Sequence, residues 1–219
     1  MNGYIHAHLI VQILITLWVC SFTPVSFAQD KDCPEARGVF GKPLDYNDPA
    51  IRKPHGEYGG KTYLSMVENV HFTSNVESLK SGQTSGADPM GDIAYTLNAF
   101  PNHHRALWSV SRLQFKQGKP TKPSAECLLE RAIRFSPKDV AVRVIYGAHL
   151  HKAGKLNEAL QQYLAAEKIN PKWAELHNNI GLLYFDLKQY AQAKQHAQLA
   201  YQLGYPLPGL RNKLKRVGQ

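Results

Sequence analysis

Histidine offers the widest chemistry of any residue type in this chain, and ten are present. As a metal ligand or general base, each needs a partner on the same face of its element. His103 and His104 are adjacent, and His149 and His151 are two apart; neither spacing shares a helix face. No HExxH, no CxxC and no carboxylate pair at ligand spacing accompanies them. A serine or cysteine nucleophile needs a positioned base, and the strand-to-helix elbow GxSxG that exposes one does not occur. A glycine-rich loop that could cradle phosphate is missing as well. The histidines therefore read as structural or surface residues. The sequence leads us to expect no catalytic residue, no metal and no cofactor, so not an enzyme; only the segment 29–91 leaves room for an unassigned activity.

Charge narrows the class of partner. Residues 29–100 hold 7 basic and 10 acidic side chains, whereas residues 101–219 hold 19 basic and 7 acidic. The C-terminal half thus carries the whole basic character, a field that speeds encounter with acidic partners. Nucleic acid is not expected, because Lys116, Lys119 and Lys122 do not interleave with aromatics as a single-strand platform requires. The same charge also suits solvated helix faces that keep a protein soluble.

The elements behind these residues begin after a leader. Leu9 to Val19 is an apolar run broken only by Gln12 and Thr16, and Ser26-Phe27-Ala28 supplies small residues for a signal peptidase. An apolar run of about 11 residues is too short to span a bilayer core that needs about 20. Residues 1–28 are read as a signal peptide, with no stable membrane span after cleavage and a periplasmic or secreted mature chain. From 29 to about 61, closely spaced prolines predict an extended arm. Ser74 followed by Glu77 predicts a capping box opening a short helix through Val76 and Leu79, and 81–91 reads as a linker. Residues 29–91 are thus an N-terminal arm and linker, mostly irregular.

From residue 139 the chain repeats itself. Gly147 recurs as Gly181, Ala159 as Ala193 and Ala166 as Ala200, each 34 residues on, with Pro171 between the copies. That period belongs to stacked helical hairpins in which small residues let paired helices approach. Two repeats are placed at 139–173 and 174–207. Counting back the same period, Ala125, Ala132 and Pro137 keep register while Leu113 replaces the glycine, so 92–138 reads as a degenerate first hairpin, its loop 117–124 one residue longer. Asn102 is expected to cap the helix whose apolar face holds Leu107, Trp108 and Leu113. Leu210, Leu214 and Val217 form a last amphipathic stripe in 208–219, with Arg211, Lys213, Lys215 and Arg216 facing water, as a capping helix requires.

In type and spacing these residues resemble those of tetratricopeptide repeats. The runs Phe100 to Leu107 and Gly204 to Leu210 look like those of uncharacterised bacterial repeat proteins. The resemblance implies an all-α helical-hairpin solenoid that binds other proteins and has no chemistry of its own. It also implies a concave groove lined by the first helix of each hairpin: Val144, Ala148 and His151 in one copy, and Asn178, Leu182 and Phe185 in the next. Lys152 and Asn178 lie near the region where chaperone-binding members hold a terminal carboxylate, although the remaining basic residues of that clamp do not match. The expected function is a periplasmic protein–protein interaction scaffold for an acidic or partly apolar segment of an envelope partner. The alternative is a cell-wall or polysaccharide accessory protein with a basic docking surface.

After cleavage only Cys33 and Cys127 remain. Cys127 takes the repeat position filled by Gln161 and Gln195, a site expected to be exposed. Free thiols do not persist in an oxidising compartment, so Cys33 and Cys127 are expected to form a disulfide tying the arm to the first hairpin.

Overall fold

The structure, a computed structural model, describes residues 33–84 and 86–218; the leader read over 1–28 lies outside them. The described residues are all-helical, as expected. Two short 3-10 turns, Pro49–Arg52 and Gly56–Tyr58, precede α1 (Tyr63–His71), α2 (Ser74–Glu77), α3 (Met90–Ala99), α4 (His104–Gln117), α5 (Ala125–Phe135), α6 (Val140–Lys152), α7 (Leu156–Ile169), α8 (Ala174–Asp186), α9 (Tyr190–Gln202) and α10 (Gly209–Arg216). None of these helices is long and apolar enough to cross a membrane.

Helices α4/α5, α6/α7 and α8/α9 stack as three antiparallel hairpins. One hydrophobic core runs through them from Phe72 and Val76 to Ile180 and Leu183. The small residues permit the close approach. A Cβ on Gly147 would lie 2.5 Å from the Tyr163 ring of α7, and one on Gly181 would lie 2.5 Å from Leu210 of α10. Ala159, Ala166, Ala193 and Ala200 are fully buried between the helices. Past α9, Gly204 takes the left-handed conformation at φ +89°, which ends the helix. Leu210 and Leu214 of α10 then pack on Ala193 and Ala197. Val217, expected in that stripe, is exposed, because α10 ends one residue earlier.

The first hairpin departs from the expected register. The buried residues of α4, Ala106, Val110, Leu113 and Gln114, match Val142, Tyr146, His149 and Leu150 of α6, each 36 positions later rather than 34. Ser111 thereby takes the place of Gly147, and the degenerate repeat keeps a small residue after all. Since α5 holds the 34-residue spacing to α7, the α4–α5 loop is two residues longer, not one. Asn102 does not cap α4. His103 does, its Nδ1 accepting from the Ala106 N–H at 3.2 Å.

The arm is irregular through residue 48 but packs tightly on the hairpins. Ile51, Val67, Ala99 and Phe100 form a second core under Phe40 and Tyr63. A capping box is present at Thr62 and Ser65, opening α1, not at Ser74. Ser74 already lies inside α2, which stops at Glu77, and Leu79 adopts φ +59°. Asp92 fastens the linker 81–91, its carboxylate accepting from the Gln83 and Thr84 N–H groups at 2.7 and 3.0 Å. Arg131, nearly buried, donates to Leu97 O at 2.9 Å and Pro34 O at 3.1 Å. The Cys33–Cys127 disulfide closes the same contact. Cys127 is buried, whereas Gln161 and Gln195 at the equivalent positions are exposed, because the arm covers only the first copy.

Candidate functional site

Since each first helix presents one face to its hairpin partner and the opposite face to the inside of the array, α4, α6 and α8 together make a concave surface. An open cleft of about 430 Å³ lies along it, lined by Glu77, His104, Arg105, Trp108, Val144, Ile145, Ala148, Glu175 and Asn179. Its floor is apolar, from Val144, Ile145 and Ala148. Trp108, 43% exposed, forms one wall and the polar pair Glu175 and Asn179 the other.

Both ends of the concave surface are closed by the chain itself. At the first repeat, α2 and the turn after it lie across α4: Glu77 pairs with Arg105, its backbone carbonyl accepts from Arg112, and Leu79 O accepts from Lys116 at 2.8 Å. At the third repeat, Lys213 of α10 sits 5.2 Å from the Phe185 ring centroid and 3.7 Å from Asp186. Lys213, expected to face water, stays about half exposed while its amine reaches back to these two residues.

The structure divides the expected groove residues into two sets. Val144 and Ala148 line the cleft. Phe185 and Leu182 pack beside the α10 core. His151 pairs with Asp186 at 2.8 Å, and Lys152 lies 4.6 Å over the Phe115 ring. Asn178 is 5% exposed, so its neighbour Asn179 is the amide that reaches the cleft. Sequence reasoning missed Trp108, which it placed on the buried face of α4. Aligning α4 through Ser111 would have found it, since Trp108 then stands opposite Val144.

Electrostatics lock the frame around the cleft. Asp139 caps α6 and accepts from Asn102 Nδ2 at 2.9 Å, Asn47 Nδ2 at 2.7 Å and His104 Nε2 at 2.8 Å. Burial raises the Asp139 pKa, but these donors outweigh it and hold the carboxyl below its usual range. Arg105 is shared between Glu77 and Glu68, so the cleft's one guanidinium is already neutralised. Deeper in, Ser111 Oγ lies 2.9 Å from His149 Nδ1, and His149 Nε2 lies 3.3 Å from Glu126. This is the order of a serine–histidine–acid relay. Ser111 is only 1% exposed, so no substrate reaches its hydroxyl, and the trio works as a polar clasp between α4, α5 and α6. The close contact with His149, together with the Gln114 amide donating to Glu126 Oε2 at 2.8 Å, outweighs burial and lowers the Glu126 pKa to about 2.

Comparison with known proteins agrees with this architecture. Residues 147–188 match the family described as TPR repeat. A stretch of 72 residues is 35% identical to the TPR repeat-containing thioredoxin TTL4 of Arabidopsis thaliana, covering 33% of this chain and 11% of that protein. Among solved structures, PilF of Pseudomonas aeruginosa is 18% identical over 71% of this chain and 65% of its own, with a TM-score of 0.52. YrrB, described as a TPR protein with an unusual peptide-binding site, is 23% identical over 58% of this chain and 64% of its own, with a TM-score of 0.46. The chain spans about a tenth of the curated relative and just under two thirds of each of these structures. Residues 147–188 are thus similar to the TPR repeat family, and the 34-residue period, the glycine and alanine contacts and the stacked hairpins are those of a helical-hairpin array.

Proposed function

We propose that the protein is an interaction scaffold whose cleft between α4, α6 and α8 takes a short, partly apolar segment of a partner. The observation that carries this reading is Trp108 standing exposed beside the apolar floor of Val144, Ile145 and Ala148. A large aromatic left exposed on the wall of an apolar cleft is the residue type most often found as a binding anchor. The expected acidic partner is supported by the basic excess of residues 101–219 rather than by the cleft lining, where Arg105 is paired and Glu175 is exposed. The two effects separate: the long-range field speeds encounter, and apolar burial at Trp108 holds the segment. The disulfide and the apolar leader favour a periplasmic or secreted setting, hence an envelope protein as partner.

The test is capture from envelope extract by immobilised protein, with recovered proteins identified and their affinities measured by titration. Trp108→Ala and Ala148→Glu should each weaken binding by about 2 kcal/mol without loss of helical content. Phe185→Ala should weaken it less, since that ring already packs against α10. Full binding by both cleft variants, together with loss on reversing Lys194, Arg211 and Lys215, would favour the basic docking surface for an acidic cell-wall or polysaccharide polymer instead.

A further inference from the structure

Glu167 near the end of α7, His177 on α8 and His196 on α9 converge at the junction between the second and third hairpins. His177 Nδ1 lies 3.2 Å from His196 Nδ1 and 3.5 Å from Glu167 Oε1, and the third edge, His196 Nδ1 to Glu167 Oε1, is 3.9 Å. Tetrahedral zinc with bonds of about 2.0–2.2 Å sets its ligand atoms about 3.3–3.5 Å apart. Two edges of the triangle are within a few tenths of an ångström of that range. The third closes with a small swing of Glu167, whose carboxylate is partly exposed.

The tautomer of His177 is fixed from outside. Its Nε2 lies 2.8 Å from Pro171 O, and a carbonyl can only accept, so Nε2 carries the hydrogen. In the neutral ring Nδ1 is then an unprotonated donor atom aimed at His196 and Glu167. A histidine held through its other nitrogen by a backbone carbonyl is the arrangement that orients metal-binding imidazoles. His177 is buried and His196 mostly so, walled by the Tyr184 ring at 5.5 Å.

The preceding repeat shows that the hairpin frame does not require this trio. Thirty-four residues earlier the same positions hold Ile133, Arg143 and Gln162. There Arg143 donates to Pro137 O, the counterpart of Pro171 O, and approaches Gln162 Oε1 at 3.5 Å. One junction therefore joins its repeats with an arginine and an amide, and the next with three metal-ligand side chains.

We propose that Glu167, His177 and His196 bind one divalent transition cation of the zinc class, leaving a fourth position for water and clamping the third hairpin to the second. Two imidazoles and one carboxylate suit zinc and exclude the all-oxygen preferences of magnesium and calcium.

The experiment uses tag-free protein stripped with chelator and titrated with zinc by calorimetry, with melting followed in parallel. One equivalent should bind per chain, and zinc at about 100-fold above Kd should raise Tm by about 5 °C or more. Loss of an outer partner of a metal ligand weakens binding about 10- to 100-fold, so His196→Gln and Glu167→Gln, which remove ligands, should weaken it at least tenfold. The combined variant Glu167→Ile, His177→Arg, His196→Gln installs the preceding repeat's solution; it should keep the helical spectrum and lose zinc. His151→Ala, outside the trio, should bind as the parent does. No zinc-dependent shift in the parent at micromolar metal would overturn the proposal. So would undiminished binding by His196→Gln or by the combined variant, or loss of binding in His151→Ala.

Discussion

Gly147→Ala adds a single methyl group at the tightest helix contact in the second hairpin. Its Cβ would sit 2.5 and 2.6 Å from Cε1 and Cδ1 of Tyr163 and 3.0 Å from Cζ, where carbon pairs rest at about 3.5–4.0 Å. The ring or its helix must therefore retreat by about 1 Å. Tyr163 is 1% exposed, enclosed by the main core, so it has no solvent into which to move. Overpacking of this kind costs about 1–3 kcal/mol, and replacing glycine in a helix interior offsets about 1 kcal/mol of that. The net loss should be about 1 kcal/mol for alanine, and about 3 kcal/mol or more for leucine, where the clash grows and the offset does not. At Gly181 the nearest atom is the tip of Leu210 on the terminal helix, which can shift, so Gly181→Ala should loosen α10 and cost less. Urea unfolding followed by circular dichroism, on Gly147→Ala, Tyr163→Val, the double variant and the parent, isolates the contact. Once the ring is gone, Gly147→Ala should become neutral or stabilising, a coupling of about 1 kcal/mol or more. Equal effects of Gly147→Ala in both backgrounds would refute the packing account and the repeat register with it.

Reduction of the Cys33–Cys127 disulfide, which closes a sequence separation of 94, should destabilise the protein by up to about 4 kcal/mol. Alkylation without reductant followed by mass measurement should label neither cysteine; label on both would refute the bond. Glu126 has its pKa depressed to about 2 by its contact with His149 and the hydrogen bond from Gln114, against about 4.3 when unfolded. Its contribution, about 2–3 kcal/mol, is therefore fully present above about pH 4.5 and lost as pH falls through about 2. The urea midpoints of the parent and Glu126→Gln should differ at pH 6 and converge toward pH 2; a constant difference would sink the assignment. Arg131→Met leaves the carbonyls of Leu97 and Pro34 without their donor, which should cost about 1–3 kcal/mol. Limited proteolysis should then cut the segment 33–44 faster, and unchanged cleavage would mean that the disulfide alone holds the arm.

What the sequence determined by itself was whatever depends on neighbours a few residues away or on a fixed period. The glycines and alanines at 34-residue spacing, Pro171 between the copies and Gly204 at a helix end define hairpins, because close helix approach and helix termination are set by the local residue. The pairing of Cys33 with Cys127 was legible because two thiols in an oxidising setting have few alternatives. Tertiary structure decided everything that depends on which distant segment arrives first at a surface. Trp108 could be placed in the cleft only once the 36-residue spacing of α4 was visible, and that spacing comes from an α4–α5 loop with no period of its own. Phe185 and Asn178 match groove positions by repeat register, yet α10 packs against the first and the interior takes the second. Histidines spaced too closely to share a helix face were read as structural, and for the pairs His103–His104 and His149–His151 that reasoning is sound. It could not reach Glu167, His177 and His196, whose three helices meet only when the hairpins stack, since helix periodicity constrains neighbours on one helix and says nothing about side chains brought together from three.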